Sequence, residues 1–381
     1  MLKFRLPEVI ESNCRRREDS KTIIGSHNGK QRQIVIIFRE SATQVNLNSN
    51  IIINHSTISL INTKTIFLSI NIEQFNQIRQ QMLSIAINKD CSILIAGCKK
   101  EIKVFEWKQE VLKQTQLLSE HQGDVFTLNF MKKSNHFISG SEDQSIIIWS
   151  VNQSNKWICQ QRLNQHNGWI YCLVLNNNED LIISGSRDCA IKFWTKQNQW
   201  LCEQTITDHT NYVLGLSLNQ QQNKLISCGY DALILIIVQS QQDSKWIVIQ
   251  KINIETFVSR ICFINDNVFI FQPDEIEQMY VYEINNTNKQ YLKTQDIFVK
   301  GGSSDSLLFS LQFIKSKCLL VNRNDKYVNL IRAKENGEYQ IEQVIEFGHI
   351  NLFGCMSDDG EYLITWDQGS KEIQIRNYNE I

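Results

Sequence analysis

This sequence contains very little proline: only Pro7 and Pro273 occur among its 381 residues. Proline cannot donate a ladder hydrogen bond, so its near absence leaves most of the chain free to form paired strands. No apolar stretch approaches the length of a membrane span, and the beginning, MLKFRLPEVIES, has no apolar core like that of a signal peptide. These absences favour a strand-rich protein, predicted to be cytoplasmic with the nucleus as the alternative location.

The sequence also has no excess of either charge, because 39 Lys and Arg residues stand against 40 Asp and Glu residues. A nucleic-acid-binding domain usually shows a basic stripe. Arg15–Arg17 is the one basic cluster, and Glu18 and Asp19 follow it directly. We therefore expect contacts with neither nucleic acid nor membrane.

The eleven cysteines are scattered and include no CxxC pair. Most lie in strand-like runs, where cysteine behaves as a small apolar residue, so disulfides are not expected. Cys159, His166 and Cys172 come nearest to a metal-ligand set, but their spacing of 7 and 6 residues matches no zinc finger. Gly301–Gly302 lacks the lysine and hydroxyl residue that complete a phosphate-binding loop. The sequence thus predicts no metal and no cofactor.

What the sequence does contain is a repeat. The clearest copies are HFISGSEDQSIIIW (136–149), LIISGSRDCAIKFW (181–194) and KLISCGYDALILII (224–237). His121, His166 and His209 stand 45 and 43 residues apart, and each precedes an aspartate by 22 residues. Serine, histidine and aspartate this close suggest a catalytic triad, but a triad is needed once, not three times. A period of about 40–45 residues with short strand signals is typical of propeller blades.

These residues resemble the WD-repeat β-propeller family. The resemblance implies that histidine, serine, aspartate and tryptophan of one blade share a buried hydrogen-bond network. The matching residues are His121, Ser139, Asp143 and Trp149 in the first copy, His166, Ser184, Asp188 and Trp194 in the second, and His209, Ser227 and Asp231 in the third. Ile237 replaces the tryptophan of the third copy, so that network is expected to be incomplete.

Four weaker copies extend the repeat. They are 84–107, 260–284, 310–333, which has Asp325 six residues before Ile331, and 348–378, which begins with Gly348 and His349 but lacks the turn aspartate and has Gly369 and Ser370 in that turn. Together with the clear copies they predict an all-β fold, a seven-bladed β-propeller of four-stranded antiparallel blades with a short N-terminal extension. An eight-bladed ring is the alternative.

The predicted domains are an N-terminal extension at 1–62, partly flexible with some strand, and a propeller at 63–381. The blades are expected near 81–118, 119–163, 164–206, 207–249, 250–296, 297–343 and 344–381. A ring must close to avoid an exposed strand edge, so the apolar stretch TIFLSI at 65–70 is expected to complete the last blade, as an N-terminal strand does in the family. Residues 34–61, with IVIIF, NIII and TISLI, could form an eighth blade, pack beside the ring or be the remnant of a longer N-terminal region.

The resemblance implies a non-catalytic scaffold or adaptor that docks proteins or peptides on one face of a monomeric ring within a larger complex. In the family, this face contains the residue before each turn aspartate and those flanking the start of each innermost strand. The matching positions are Asp124, Phe126, Glu142, Trp169, Tyr171, Arg187, Tyr212, Leu214 and Tyr230, with Asn324 and Leu352 in later blades. Tyrosine, tryptophan and arginine dominate binding hot spots. The alternative is a propeller subunit of an RNA-associated or enzymatic assembly, such as a ubiquitin ligase, without catalysis of its own.

Overall fold

The computed structural model describes residues 33–38, 41–46, 65–70, 81–109, 111–302 and 308–380. The chain divides into two compact units, Met1–Asn62 and Thr63–Ile381. The described part of the first unit is an antiparallel hairpin of β1 (Gln33–Phe38) and β2 (Ser41–Asn46). The NIII and TISLI stretches, for which the sequence predicts strands, lie outside the described residues.

The described part of the second unit consists of seven four-stranded antiparallel sheets, which confirms the seven-bladed propeller. Apart from strands, it contains one 3-10 turn at Lys315–Lys317. Within the described ranges no helix has the length and hydropathy needed to cross a membrane.

In each of the first four blades, the strands follow chain order from the innermost to the outermost. Blade 1 contains β4 (Met82–Ile87), β5 (Ile93–Cys98), β6 (Glu101–Lys108) and β7 (Val111–Leu118). Blade 2 contains β8 (Val125–Phe130), β9 (Phe137–Ser141), β10 (Ile146–Val151) and β11 (Trp157–Leu163). Blade 3 contains β12 (Ile170–Leu175), β13 (Leu181–Ser186), β14 (Ile191–Lys196) and β15 (Trp200–Ile206). Blade 4 contains β16 (Val213–Leu218), β17 (Lys224–Gly229), β18 (Leu233–Gln239) and β19 (Trp246–Asn253).

The remaining blades follow the same order, except for the last strand of blade 7. Blade 5 contains β20 (Val258–Phe263), β21 (Val268–Pro273), β22 (Gln278–Ile284) and β23 (Tyr291–Phe298). Blade 6 contains β24 (Gln312–Ile314), β25 (Leu319–Asn324), β26 (Tyr327–Ala333) and β27 (Tyr339–Glu346). Blade 7 contains β28 (Leu352–Met356), β29 (Tyr362–Asp367), β30 (Ile373–Glu380) and, as its outermost strand, β3 (Thr65–Ile70).

The burial pattern of a strand depends on its distance from the ring centre, as two strands of blade 3 illustrate. β13, LIISGS, is buried along its whole length, as expected for a strand covered on both faces. β15, WLCEQTI, alternates between buried and more exposed residues, as expected for an outer strand with one solvated face. The third strand carries a bulge where it reaches Trp149 and Trp194. A bulge increases the local twist, so the outer strand turns away from its neighbours.

The apolar core lies between neighbouring blades. Phe137 and Trp149 of blade 2 share one buried cluster with Ile95 and Val104 of blade 1. This arrangement satisfies both faces of each sheet, because a single four-stranded sheet cannot bury them alone.

The ring closes between blades 7 and 1. Leu94 of blade 1 and Trp366 of blade 7 belong to the same buried cluster. Within blade 7, β3 pairs antiparallel with β30 from Thr65↔Glu380 to Ile70↔Ile375. A strand from the beginning of the propeller therefore completes the blade that contains its end.

Candidate functional site

Blade 3 contains a directed chain of buried hydrogen bonds. The Trp194 indole Nε1 donates to Ser184 Oγ over 2.8 Å, and Ser184 Oγ lies 2.7 Å from His166 Nε2. His166 Nδ1 lies 2.8 Å from the Asp188 carboxylate. Because the charged Asp188 carboxylate can only accept, Nδ1 of the neutral imidazole carries the proton, and Nε2 is left to accept from the Ser184 hydroxyl. The sequence trio therefore meets in space.

Blade 2 repeats this chain with nearly the same distances. Trp149 Nε1 donates to Ser139 Oγ over 2.8 Å, His121 Nε2 lies 2.7 Å from that hydroxyl, and His121 Nδ1 lies 2.8 Å from Asp143. Arg162 adds a bond to Ser145 Oγ at 2.8 Å. The repetition indicates that the chain belongs to the architecture of a blade.

Blade 4 has the chain without its first member. His209 Nε2 lies 2.9 Å from Ser227 Oγ, and its Nδ1 lies 2.9 Å from Asp231. Ile237 is fully buried where blades 2 and 3 have tryptophan, and it supplies no donor. The incompleteness follows directly from this one substitution.

The serine–histidine–aspartate distances are those of a hydrolytic triad, but the surroundings are not. Ser184 and Ser139 have no exposed surface, and the side chains of His166 and His121 are at most 1% exposed. Each serine hydroxyl also accepts an indole N–H. A substrate carbonyl cannot approach such a hydroxyl, so the geometry supports a structural role.

Burial and hydrogen bonding together determine the protonation of the chain in blade 3. Burial lowers the pKa of His166 despite the hydrogen bond to Asp188, so the imidazole is neutral at neutral pH. Partial burial acts to raise the pKa of Asp188, but hydrogen bonds from His166 and from the backbone N–H groups of Asn167 and Ala190 outweigh it. They lower the pKa of Asp188 to about 2. The carboxylate is therefore charged and turned inward.

A continuous row of aromatic rings lies across the starts of the inner strands and the neighbouring turns. The Phe126 ring centre is 5.6 Å from that of Tyr171, Tyr171 is 6.0 Å from Tyr212, and Tyr212 is 5.9 Å from Tyr230. Tyr230 stacks on Phe257 with ring centres 4.4 Å apart. The row thus crosses blades 2 to 5 without a gap.

Arg187 lies within this row. Its guanidinium carbon is 4.4 Å from the ring centre of Trp169 and 5.2 Å from that of Tyr212. The side chain is exposed, and both cation–π contacts hold it in place. We call Phe126, Trp169, Tyr171, Arg187, Tyr212, Tyr230 and Phe257 the aromatic–arginine face.

The comparisons with known proteins agree with this geometry. The family model "WD domain, G-beta repeat" matches residues 112–150, 157–195 and 200–237. Each matched stretch runs from the outer strand of one blade through the third strand of the next, and two of them contain the complete tryptophan–serine–histidine–aspartate chain. These stretches match the WD-repeat family, and the seven four-stranded sheets have the fold of a WD-repeat β-propeller.

Relatives within the WD-repeat family match only part of this chain. Transducin beta-like protein 3 of Bos taurus is 28% identical over 107 residues, which is 28% of this chain and 13% of that protein. WD repeat-containing protein pop1 of Schizosaccharomyces pombe is 25% identical over 130 residues, 28% of this chain and 16% of that protein. Periodic tryptophan protein 2 homolog of Caenorhabditis elegans is 28% identical over 74 residues, 19% of this chain and 8% of that protein. The matches thus span less than a fifth of each relative.

Most of the predicted face residues of this WD-repeat ring are accessible. Arg187 and Tyr230 are exposed, whereas Asp124, Phe126, Glu142, Trp169, Tyr171 and Tyr212 are half-buried. Three predicted positions are not. Leu214 lies in the wall of the central channel, a cavity of about 340 Å³, and is buried. Asn324 and Leu352 are buried as well, so they present almost no surface to a partner.

The two acidic residues of the predicted face lie together in blade 2. Glu142 accepts a hydrogen bond from the backbone N–H of Asp124 at 3.3 Å. Burial, followed by the charge of Glu142, raises the pKa of Asp124. This end of the face is therefore acidic, in contrast to the arginine in blade 3.

Phe257 is the member of the face that the sequence reasoning missed. It immediately precedes the first strand of blade 5, as Tyr212 does in blade 4 and Trp169 does in blade 3. Blade 5 lacks the histidine and aspartate that mark the clear WD repeats, so the motif gave no register there. The signal that could have found it is an aromatic residue just before an innermost strand.

Blade 7 fills the place of the histidine chain with other residues. His349, from the Gly–His pair of this copy, lies half-buried outside the strands, where its Nδ1 accepts from the Asn351 N–H. Instead, Arg376 donates to Thr365 Oγ1 over 2.8 Å and stacks 4.7 Å above the Phe347 ring. Burial lowers the pKa of Arg376 to about 10.

In blade 7, where Gly369 and Ser370 occupy the turn, an aspartate at the end of β29 bonds to that turn. Asp367 accepts from the N–H groups of Gly369 and Ser370, each at 2.9 Å. In blade 6, Asp325 lies in a two-residue turn with φ of 57° between Asn324 and Tyr327, so its spacing to Ile331 does not reproduce the histidine chain. Blades 6 and 7 therefore stabilise this turn with other contacts than blades 2 to 4 do.

Proposed function

We propose that this WD-repeat propeller is a non-catalytic scaffold that binds proteins or peptides through the aromatic–arginine face. The observation that carries the proposal is the unbroken aromatic row of blades 2 to 5 with the exposed Arg187 held inside it. Rigid aromatic rings supply large contact areas at low entropic cost, and arginine supplies directional hydrogen bonds.

The absence of catalysis is part of the proposal. The triad-like groups are buried and bonded to one another, and the same set occurs in three adjacent blades. The face itself holds no nucleophile next to a base, whereas covalent catalysis needs that pair within hydrogen-bond reach. Binding is the function that this arrangement supports best.

The test compares the face with the buried chain. We expect the double variant Arg187→Ala with Tyr230→Ala to keep its melting temperature and to lose partners in quantitative proximity labelling, because both side chains are exposed. Ser184→Ala is the matched comparison from the same blade. It should lower the stability and leave the labelled partners unchanged in the folded fraction. If the double variant retains every partner, this face is not the binding site.

A further inference from the structure

We propose that the aromatic–arginine face recognises an acidic segment of its partner, with an aspartate or glutamate carboxylate bound to Arg187 and an adjacent apolar side chain on Tyr230 and Phe257. This inference rests on the proposed function and specifies the chemistry of the ligand.

Arg187 is already arranged for such a bond. Trp169 at 4.4 Å and Tyr212 at 5.2 Å contact the planar guanidinium group. Stacking covers the plane of a guanidinium and leaves its N–H edge free to make paired hydrogen bonds with a carboxylate. Since the two rings restrict the side chain before binding, less conformational entropy is lost when a ligand docks.

The described part of the chain offers Arg187 no acid of its own. Its guanidinium forms neither an ion pair nor a hydrogen bond with any described residue. The adjacent Asp188 points inward, where it holds His166 Nδ1 at 2.8 Å and the Asn167 N–H at 2.9 Å. Asp231 of the next blade is held in the same way by His209 and Thr210. The turn aspartates of blades 3 and 4 are thus used internally, and the arginine is left for a ligand.

An apolar surface lies beside this charge. Tyr230 is 46% exposed and stacks on Phe257, which is half-buried. Tyr212 links this pair to the arginine, because it contacts both Arg187 and Tyr230. A side chain one or two residues from the bound carboxylate can therefore rest on the Tyr230–Phe257 stack.

The charges favour a carboxylate over a phosphate. A dianionic phosphate usually needs more than one cation, and Arg187 is the one cation of the face as defined above. Beside it in blade 2, Glu142 and Asp124 add negative charge. The pKa of Tyr171 is raised by burial, and the charge of Arg187 lowers it whereas that of Glu142 raises it. A singly charged carboxylate fits this balance better.

An array of capped peptides tests the proposal with the full chain. The central residue is glutamate, glutamine or phosphoserine, and the flanking residues are varied apolar ones. We expect glutamate peptides to bind at least about tenfold more tightly than their glutamine counterparts. Arg187→Gln should abolish this preference, Arg187→Lys should retain part of it, and Tyr230→Ala should weaken glutamate and glutamine peptides alike.

Lys100→Gln provides the control, because Lys100 is an exposed cation in the equivalent turn of blade 1 and its removal changes the net charge equally. Equal binding of glutamate and glutamine peptides, a preference for phosphoserine, a loss equal to that of Arg187→Gln in the Lys100 variant, or no bound peptide at all would overturn the carboxylate assignment. If proximity labelling still depends on Arg187 and Tyr230 in that event, the binding face stands and only the ligand chemistry fails. If labelling is also unchanged, the face itself is wrong.

Discussion

At the scale of single residues, one buried tryptophan determines whether the hydrogen-bond chain of blades 2 to 4 is complete. Trp149 and Trp194 are each about 1% exposed and donate the first hydrogen bond of the chain. Trp149→Ala or Trp194→Ala is expected to lower the free energy of unfolding by about 3–5 kcal/mol, because each change removes a large core side chain. Equilibrium urea denaturation measures this loss.

Ile237→Val is a suitable comparison, since it removes only one methylene at the equivalent position and should cost about 0.5–1.5 kcal/mol. Losses below about 1 kcal/mol for both tryptophan variants would contradict the network interpretation.

The same chain makes stability depend on pH. The pKa of His166 is lowered in the folded state, so the unfolded state binds the proton more readily once the pH falls below the ordinary imidazole pKa of about 6.5. The stability should therefore decrease as the pH falls from 7 to 5. The contribution of Asp188 is present above the ordinary carboxyl pKa of about 3.9 and is lost as the pH falls towards about 2.

Urea titrations of wild type and His166→Gln between pH 7 and 5 check this dependence. The variant should be less stable at pH 7 but should lose less stability on acidification, because its titrating group is gone. Parallel curves for the two proteins would show that His166 does not contribute.

At the scale of strands, glutamine side chains form hydrogen bonds that join the outer strands of neighbouring blades. Gln161 Nε2 donates to the Trp200 carbonyl over 2.8 Å, and the Trp200 N–H donates back to Oε1 over 2.9 Å. The same two bonds join Gln116 to Trp157, Gln204 to Trp246 and Gln250 to Tyr291. Each pair connects one blade to the next.

Gln161→Ala should lower the free energy of unfolding by about 1–3 kcal/mol, because it leaves two partly buried backbone groups without their partner. Gln295 is the matched control: it lies at the equivalent position of blade 5, half-buried, but makes no side-chain hydrogen bond within the described chain. Differential scanning calorimetry of both alanine variants should show a clear loss for Gln161 and little change for Gln295. Equal losses would mean that the bonds themselves contribute nothing.

These strands also show how far sequence could predict the fold. Blades 2 to 4 were readable because histidine, serine and aspartate at fixed spacing cannot be exchanged freely in a buried site. Blades 5 to 7 satisfy the same space with other polar groups. Gln272 and Asn322 bond to each other across two blades, and Arg376 replaces an indole donor. Such substitutions preserve the packing but remove the sequence motif. Without the motif, the positions of Phe257 and Asn324 could not be aligned with those of the clear repeats.

The glutamine pairs had a signal that sequence reasoning did not use. Gln161, Gln204 and Gln250 each follow the first tryptophan of an outer strand by four residues. Their function depends on the neighbouring blade, and a repeat pattern by itself does not reveal contacts between copies. The face residues Trp169, Arg187 and Tyr212 could be placed in one patch, because equivalent positions of stacked blades must be neighbours.

At the scale of the whole molecule, we expect the stability to depend on closing the ring with β3. A chain beginning at residue 63 retains this strand, whereas one beginning at residue 71 exposes the edge of β30. We expect the shorter chain to melt at least about 5 °C lower and to associate, since an unpaired edge invites pairing with another molecule. Calorimetry and light scattering of the two chains measure both effects. Identical melting would show that β3 is dispensable.

The pairing of β3 with β30 has a consequence for how the chain could be rearranged. Thr65 and Glu380 are register partners in an antiparallel pair, which is the geometry of two residues joined by a tight hairpin. Blades 1 to 6 have a covalent loop between their third and outer strands, whereas blade 7 has a break in the covalent chain at that place. A short linker from Glu380 to Thr65, with new ends opened in an exposed turn elsewhere, would give a circular permutant of the same ring. Which blade comes first is thus a matter of chain connectivity, and the strand pairing of the folded ring does not depend on it.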